Sequence, residues 1–324
     1  MAGRFIISLD FELMWGVRDH RSVGDYGDAI LGGRRAIPLM LELFRKHQVR
    51  ATWATVGLLF ARNRDEMRSF APTVQPNYGA ANLSPYPDLT DVVGKDEQDD
   101  PYHFGRSLLD QIAQAEGQEI ASHTYGHVYA LEPGMSAAAW SADIQAACAI
   151  ADHAGHTLRS IVFPRNQMGP EQIRICQDQG MTAWRGVPKG RIYRTRSGAE
   201  QSLPVRALRL LDGAVPVLGD QSFDMPAPQE GGINIPASRF LRPWSSRMPI
   251  YSRLHQARIL REMETAATQG KHYHLWWHPH NMGRNTAQNM AQLEVILGAF
   301  VRLRDQYGFE SNTMADIAEQ EGAI

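Results

Sequence analysis

The chain has 324 residues, 43% of them hydrophobic and 21% charged, with a formal net charge of −2 at pH 7. That balance excludes a wholly disordered, collagen-like or low-complexity chain. Without a basic excess, no nucleic-acid partner is expected. Cys148 and Cys176, the only cysteines, are too few for a disulfide scaffold and fit a reducing compartment.

Residues 5–9 are a short apolar run that predicts a buried strand. The run is too short for a signal-peptide core, and Asp10 and Glu12 follow at once, so a cytoplasmic location is expected. No later stretch reaches the ~18 apolar residues of a membrane span. Helical spacing of Ile37, Leu41 and Phe44 predicts a helix over 34–47, and residues 51–56 return to strand character. A helix over 58–70 precedes a long polar interruption, 72–101, rich in proline and acid; connections of this length are typically functional or disordered. Helices are then expected over 104–115, 136–154 and 171–179, and strands over 119–122, 160–163 and 182–184. Residues 185–249 are irregular and rich in Pro, Gly and Arg, with helical periodicity only over 203–218. The rest reads as a helix over 252–268, a strand over 273–277, a helix over 286–307, a strand over 309–311 and a final helix. Strand–helix alternation along the whole chain points to a parallel sheet, and six or seven such units fit one barrel. Working residues of such barrels lie at the C-terminal ends of strands.

Ionisable residues cluster where strands should end. Asp10 and Glu12, at i and i+2, share a face if the first strand continues through them, and two buried carboxylates call for a cation. His123 and His127 follow the third strand; in a helical turn, i and i+4 imidazoles converge on one ion. Arg165 sits just past a buried strand, placed to hold a carboxylate in its charged form. In the 273–280 segment, YHLWWHPH, Tyr273, Leu275 and Trp277 share one strand face. His274, Trp276 and His278 share the other, and Pro279 leaves His278 at the strand end, suited to proton transfer. His274 reads as a satisfied core histidine. Each signal taken alone also fits ordinary surface or core residues. Together they form a kit for metal-assisted hydrolysis.

With these motifs in place, the sequence resembles the polysaccharide deacetylase superfamily, the NodB-like family 4 carbohydrate esterases, from residue 5 to about residue 280. Ser8-Leu9-Asp10-Phe11-Glu12 looks like a D-x-E variant of the family's paired-aspartate strand. His123-Thr124-Tyr125-Gly126-His127 matches its H-[ST]-x-x-H motif, and Leu275 to Pro279 its last motif. Phe163-Pro164-Arg165 resembles the R-x-P motif loosely, and Trp184 stands in for a fourth-motif tryptophan.

The resemblance implies an α/β fold, a distorted (β/α) barrel of TIM-like form. It implies one catalytic domain over residues 1–324, with insertions at about 72–101 and 185–249. It implies one divalent metal, zinc first with Co, Ni, Mn or Fe as alternatives, on Glu12, His123 and His127. Asp10 would be the general base, His278 the proton donor, and Arg165 would orient Asp10; an exchange of roles between Asp10 and Glu12 stays open. Leu275 would line a pocket for an acetyl methyl. The implied substrate is an N-acetylated amino sugar, nucleotide- or lipid-linked, as an intracellular precursor of a surface polysaccharide. A non-sugar amide or N-formyl substrate, or a non-catalytic carbohydrate-binding role, are the alternatives. Arg239, Arg242 and Arg247 around Phe240 and Trp244 suit a phosphate and a ring. Tyr78, in the 72–101 stretch, is expected on the cleft wall.

Overall fold

The computed structural model describes residues 2–195 and 203–323. The first half runs β1 (Arg4–Phe11), α1 (Val23–His47), β2 (Ala51–Thr55), α2 (Arg64–Phe70), α3 (Asp88–Asp91) and α4 (Arg106–Gln114). Next come β3 (Gln118–Ser122), α5 (Ala137–His153), β4 (Ser160–Ile161), α6 (Pro170–Asp178), β5 (Ala183–Gly186) and α7 (Leu203–Ala214). The remainder is β6 (Ile233–Pro236), β7 (Arg239–Phe240), α8 (Pro249–Gln269), β8 (Tyr273–Trp277), α9 (Thr286–Tyr307), β9 (Glu310–Asn312) and α10 (Met314–Gln320).

All strand pairings are parallel, in the order β6-β5-β4-β3-β2-β1-β8-β7, with β9 pairing the start of β1. One extended segment closes the ring: residues 233–236 pair with β5, and residues 239–240 pair with β8. Between them, Ala237 N–H donates to the Gly186 carbonyl and Ser238 N–H to that of His274. The expected distorted (β/α) barrel is therefore present. The expectation of an insertion over 185–249 needs correcting, because that stretch supplies β6 and β7, two pieces of the barrel wall. Its strands are short and flanked by proline and glycine, which hides their period.

Alternation along β1 sorts its side chains between two cores. Phe5, Ile7, Leu9 and Phe11 face the surrounding helices and join Phe44, Trp53, Trp277 and Phe300 in the main cluster. Ile6 faces the barrel interior, where Ala54, Val162, Ala183 and Ile233 meet Met314, Ile317 and Ala318 of α10. The last helix thus plugs the barrel at the N-terminal ends of its strands. Asp10 lies at the opposite, C-terminal end.

Helix α1 begins earlier than its spacing suggests. Ser22 and Asp25 form a capping box that starts it at Val23, ahead of a glycine-rich turn that reads poorly as helix. One of those glycines is required by packing: a Cβ on Gly33 would lie 2.6 Å from the His280 backbone. That close approach fixes the turn after β8. The expected helix over 58–70 splits into a 3-10 turn (Gly57–Phe60) and α2. No helix among the described residues is long and apolar enough to cross a membrane. Both cysteines are free.

Candidate active site

Strand β1 delivers Asp10 and Glu12 to the C-terminal mouth of the barrel, each only 3% exposed. Glu12 Oε2 lies 3.2 Å from His123 Nε2 and 3.0 Å from His127 Nε2. The ligand atoms of these three buried residues lie within 4.8 Å of one another. The donor chemistry fits a metal. His123 Nδ1–H donates to the Val162 carbonyl at 2.7 Å, which leaves Nε2 as the ring atom that faces the carboxylate. Burial holds His127 below its ordinary pKa, with Glu12 offsetting this only in part. Burial pushes the Glu12 carboxyl up, but the imidazoles of His278, His123 and His127 outweigh it and leave it well below its usual range. A divalent cation between the two imidazoles and the carboxylate would take the place of the protons that otherwise link them. A Cβ at Gly16 would sit 1.9 Å from the Glu12 carboxyl carbon, so only glycine leaves the carboxylate its place.

The two histidines do not share a helix face, as the i, i+4 spacing suggests. They sit on a loop with Thr124 and His127 in the left-handed region, at φ 63° and 56°. Such backbone is costly without glycine, so the surroundings must hold it. Buried Asp143 on α5 does so. It accepts Tyr125 N–H at 2.7 Å, Gly126 N–H at 3.1 Å and the Tyr86 hydroxyl at 2.5 Å. Gly57 N–H and Leu58 N–H bond the carbonyls of Thr124 and Tyr125.

Burial pushes the Asp143 carboxyl up to about 6 in spite of its three donors. The folded state therefore keeps a proton that the unfolded chain releases near 3.8, the ordinary value. This group's share of stability is full below pH ~4 and falls as pH rises through ~6, by on the order of 3 kcal/mol in all. Urea denaturation between pH 4 and 7 should show that fall in the native protein and not in Asp143→Ala. The variant should also lose about 2–5 kcal/mol, because two buried N–H groups lose their acceptor.

Asp10 is held by Arg185, not by Arg165. Arg185, 1% exposed at the side chain and carried on β5, grips the carboxylate bidentately at 2.6 and 2.8 Å. Its guanidinium also donates to Ser8 Oγ and Asn166 Oδ1 and lies 4.1 Å over the Trp276 ring. Burial pushes the Asp10 carboxyl up, but the Arg185 charge and hydrogen bonds more than offset it, so its pKa lies below the ordinary value. Arg165 instead pairs with Asp19 and stacks 4.0 Å over Tyr129. The reason is its backbone: Arg165 and Asn166 both have positive φ, which turns the chain away after β4. The sequence reading ends β5 at Trp184 and so passes over Arg185, although an arginine at a strand end is itself the signal.

His278 closes the site from β8, with Nε2 3.7 Å from Asp10 Oδ2 and 3.6 Å from Glu12 Oε1. Tyr26 hydroxyl donates to Asn281 Oδ1, which leaves Asn281 Nδ2 to donate to His278 Nδ1 at 3.2 Å. The neutral His278 ring therefore carries its proton on Nε2, facing the carboxylates. Tyr26 and Asn281 have no motif and escape a sequence reading. His280 stacks on His278 at 5.1 Å, and burial pushes it down to about 3. His274 is a core group, as expected: Ser8 Oγ lies 2.8 Å from its Nε2, and burial lowers its pKa to about 3.

A cavity of about 270 Å³ opens on Asp10, Glu12, His123, His127 and His278. It adjoins a larger one of about 460 Å³, with Arg165, Asn166, Arg209, Trp276 and His278 on both walls. Of the expected substrate contacts, Arg239, Phe240 and Arg242 line the larger cavity, and Leu275, Trp184, Tyr78, Trp244 and Arg247 line neither. Leu275 sits on the helix-facing side of β8 within the main core, and Trp276, one residue on, takes the cavity wall. Trp184 is also core. Tyr78 is locked behind the site, its hydroxyl donating to the Tyr129 carbonyl and accepting from the Tyr129 N–H. Trp244 N–H is bound by Asn289 Oδ1 at 2.6 Å.

No protein-family model and no curated protein matches the sequence. Solved structures do match. A candidate polysaccharide deacetylase from Mycobacterium smegmatis aligns at TM-score 0.62 and 14% identity, over 99% of this chain and 91% of that one. A second, from Pseudomonas aeruginosa PAO1, aligns at TM-score 0.55 and 14% identity, over 98% of this chain and 89% of that one. A PuuE allantoinase aligns at TM-score 0.56 and 13% identity, over 99% and 89%. At this identity the likeness is one of fold, and the chain carries the distorted (β/α) barrel fold of the polysaccharide deacetylases.

Proposed function

We infer that the protein is a metal-dependent amide hydrolase that removes an acetyl group from an amino sugar, a precursor used in surface-polysaccharide assembly. The observation that carries this reading is one cavity lined by three sets of groups: the Glu12–His123–His127 set, an arginine-clamped Asp10, and His278 with its Nε2 facing both carboxylates. A divalent cation held by Glu12, His123 and His127, zinc first, supplies Lewis acidity toward water and the acyl oxygen when bound.

The chain's own residues do the rest. Asp10, kept ionised by Arg185, accepts the proton of the attacking water. The partition of roles follows the partners, because Glu12 faces two imidazoles whereas Asp10 faces a guanidinium. His278 serves the departing nitrogen through Nε2: as the imidazolium it gives that proton up and returns to the neutral ring, and as the neutral tautomer oriented by Tyr26 and Asn281 it donates a hydrogen bond there. Trp276 walls the site against water.

The test is acetate release from a panel of free, phosphorylated and nucleotide-linked N-acetyl amino sugars, with allantoin as a cyclic-amide control. Acetate should appear together with free amine, stop on chelation and return with added zinc. Silence across the panel from metal-loaded protein would retire the reading in favour of a binding role, and turnover of allantoin alone would move it to cyclic amides. His278→Ala should keep its metal, measured by elemental analysis, and lose about 10²- to 10⁴-fold in kcat.

A further inference from the structure

The larger cavity is walled by six arginines, and no Asp or Glu lines it among the described residues. In a chain of net charge −2 that concentration is local. Two of the six are neutralised in place. Arg165 pairs with Asp19, and buried Arg239 is bidentate to Glu262 at 2.7 and 2.8 Å and meets Asp212. Arg194, Arg206 and Arg242 have no carboxylate partner among the described residues. They come from separate segments: the stretch after β5, helix α7 and the stretch after β7. The Arg242 backbone N–H donates to His255 Nε2 at 3.2 Å, and its guanidinium lies 5.8 Å from the Phe240 ring centre. Phe240 in turn packs on Trp276 at 4.7 Å, and the buried Trp276 Nε1 has no hydrogen-bond partner.

We propose that this arginine-walled cavity is a phosphate subsite, so that the substrate of the adjoining centre is an N-acyl amino sugar bearing a phosphate or diphosphate. Guanidinium forks match phosphate oxygens bidentately, and a concave wall of one sign focuses the field on an incoming anion. Three arginines without a carboxylate partner among the described residues call for more charge than one carboxylate carries. The shared wall of Asn166, Trp276 and His278 places the anion beside the scissile amide. The substrate assignment rests on the hydrolase reading. The anion site does not, and it is tested without turnover.

The probe is inorganic pyrophosphate, titrated calorimetrically into the intact protein, His123→Ala and an Arg206→Gln/Arg242→Gln double variant. His123→Ala removes a proposed metal ligand, and the double variant removes two arginines whose half-buried or exposed positions leave folding intact, checked by an unchanged Tm. Wild type and His123→Ala should bind alike, the double variant should bind at least about tenfold more weakly, and the salt dependence should flatten with it. Absence of binding at millimolar pyrophosphate, or binding lost in His123→Ala and retained in the double variant, overturns the site. Displacement by N-acetylglucosamine 1-phosphate or by uridine diphosphate supports it, and the tighter competitor identifies a sugar phosphate or a nucleotide as the source. Pyrophosphate binding without acetate release from any substrate would retire the hydrolase reading and leave the anion site standing.

Discussion

Asp10→Asn should lower kcat by about 10³-fold or more with the metal still bound. The substitution keeps the size of the side chain and removes the only proton acceptor that the site holds ionised by a bidentate arginine. An amide nitrogen placed against the Arg185 fork also turns one hydrogen bond into an opposition of donors. His123→Ala is the contrast: it removes a member of the Glu12 set, so metal and turnover should disappear together. Elemental analysis beside acetate release separates the two. If Asp10→Asn lost metal as His123→Ala does, Asp10 would be a ligand, and the exchange of roles with Glu12 would be the correct arrangement. If it retained turnover, the proton acceptor would lie elsewhere.

Arg185→Met should cost about 3–5 kcal/mol of stability, because it leaves a buried carboxylate without its counter-charge. It should also move the acidic limb of the kcat/KM profile. Arg185 is what keeps Asp10 below its ordinary pKa against burial. Without it the carboxyl takes a proton at higher pH, and a base that must be ionised then fails at higher pH. The limb therefore shifts upward. Arg165→Met, whose guanidinium serves Asp19, should leave that limb where it is. A limb that moved with Arg165 and not with Arg185 would reverse the assignment of the clamp.

That contrast also marks how far the sequence could be read. Strand-end logic reaches Asp10, Glu12, His123, His127 and His278, since each ends or follows a run whose period is plain. It reaches Arg185 only if β5 is carried one residue further than its apolar run. Side-chain parity was legible on β8, where Leu275 falls with Tyr273 and Trp277 on the face that packs against helices. Motif likeness alone assigned it to the pocket, and Trp276 holds that place. The turn that converges His123 and His127 was not legible, because its left-handed residues are Thr124 and His127, not glycine, and its brace is Asp143 from the next helix. The β6–β7 segment was not legible either: its alternate residues stay buried from Ile233 to Leu241, but Pro236 interrupts it and the buried Ser238 and Arg239 are polar, so the apolar pattern breaks off midway.

The plug formed by α10 couples the two ends of the chain in time as well as in space. Strand β1, which bears both carboxylates, is synthesised well before the residues that fill the barrel beneath it, Met314, Ile317 and Ala318, which follow every described strand. During synthesis the carboxylates are therefore presented on an open, floorless sheet, and the most sequence-distant contacts of the fold complete the barrel. Of the proposed metal set, Glu12 is made long before the loop of His123 and His127 is braced, so the three groups come together only in the finished barrel and not in the nascent one.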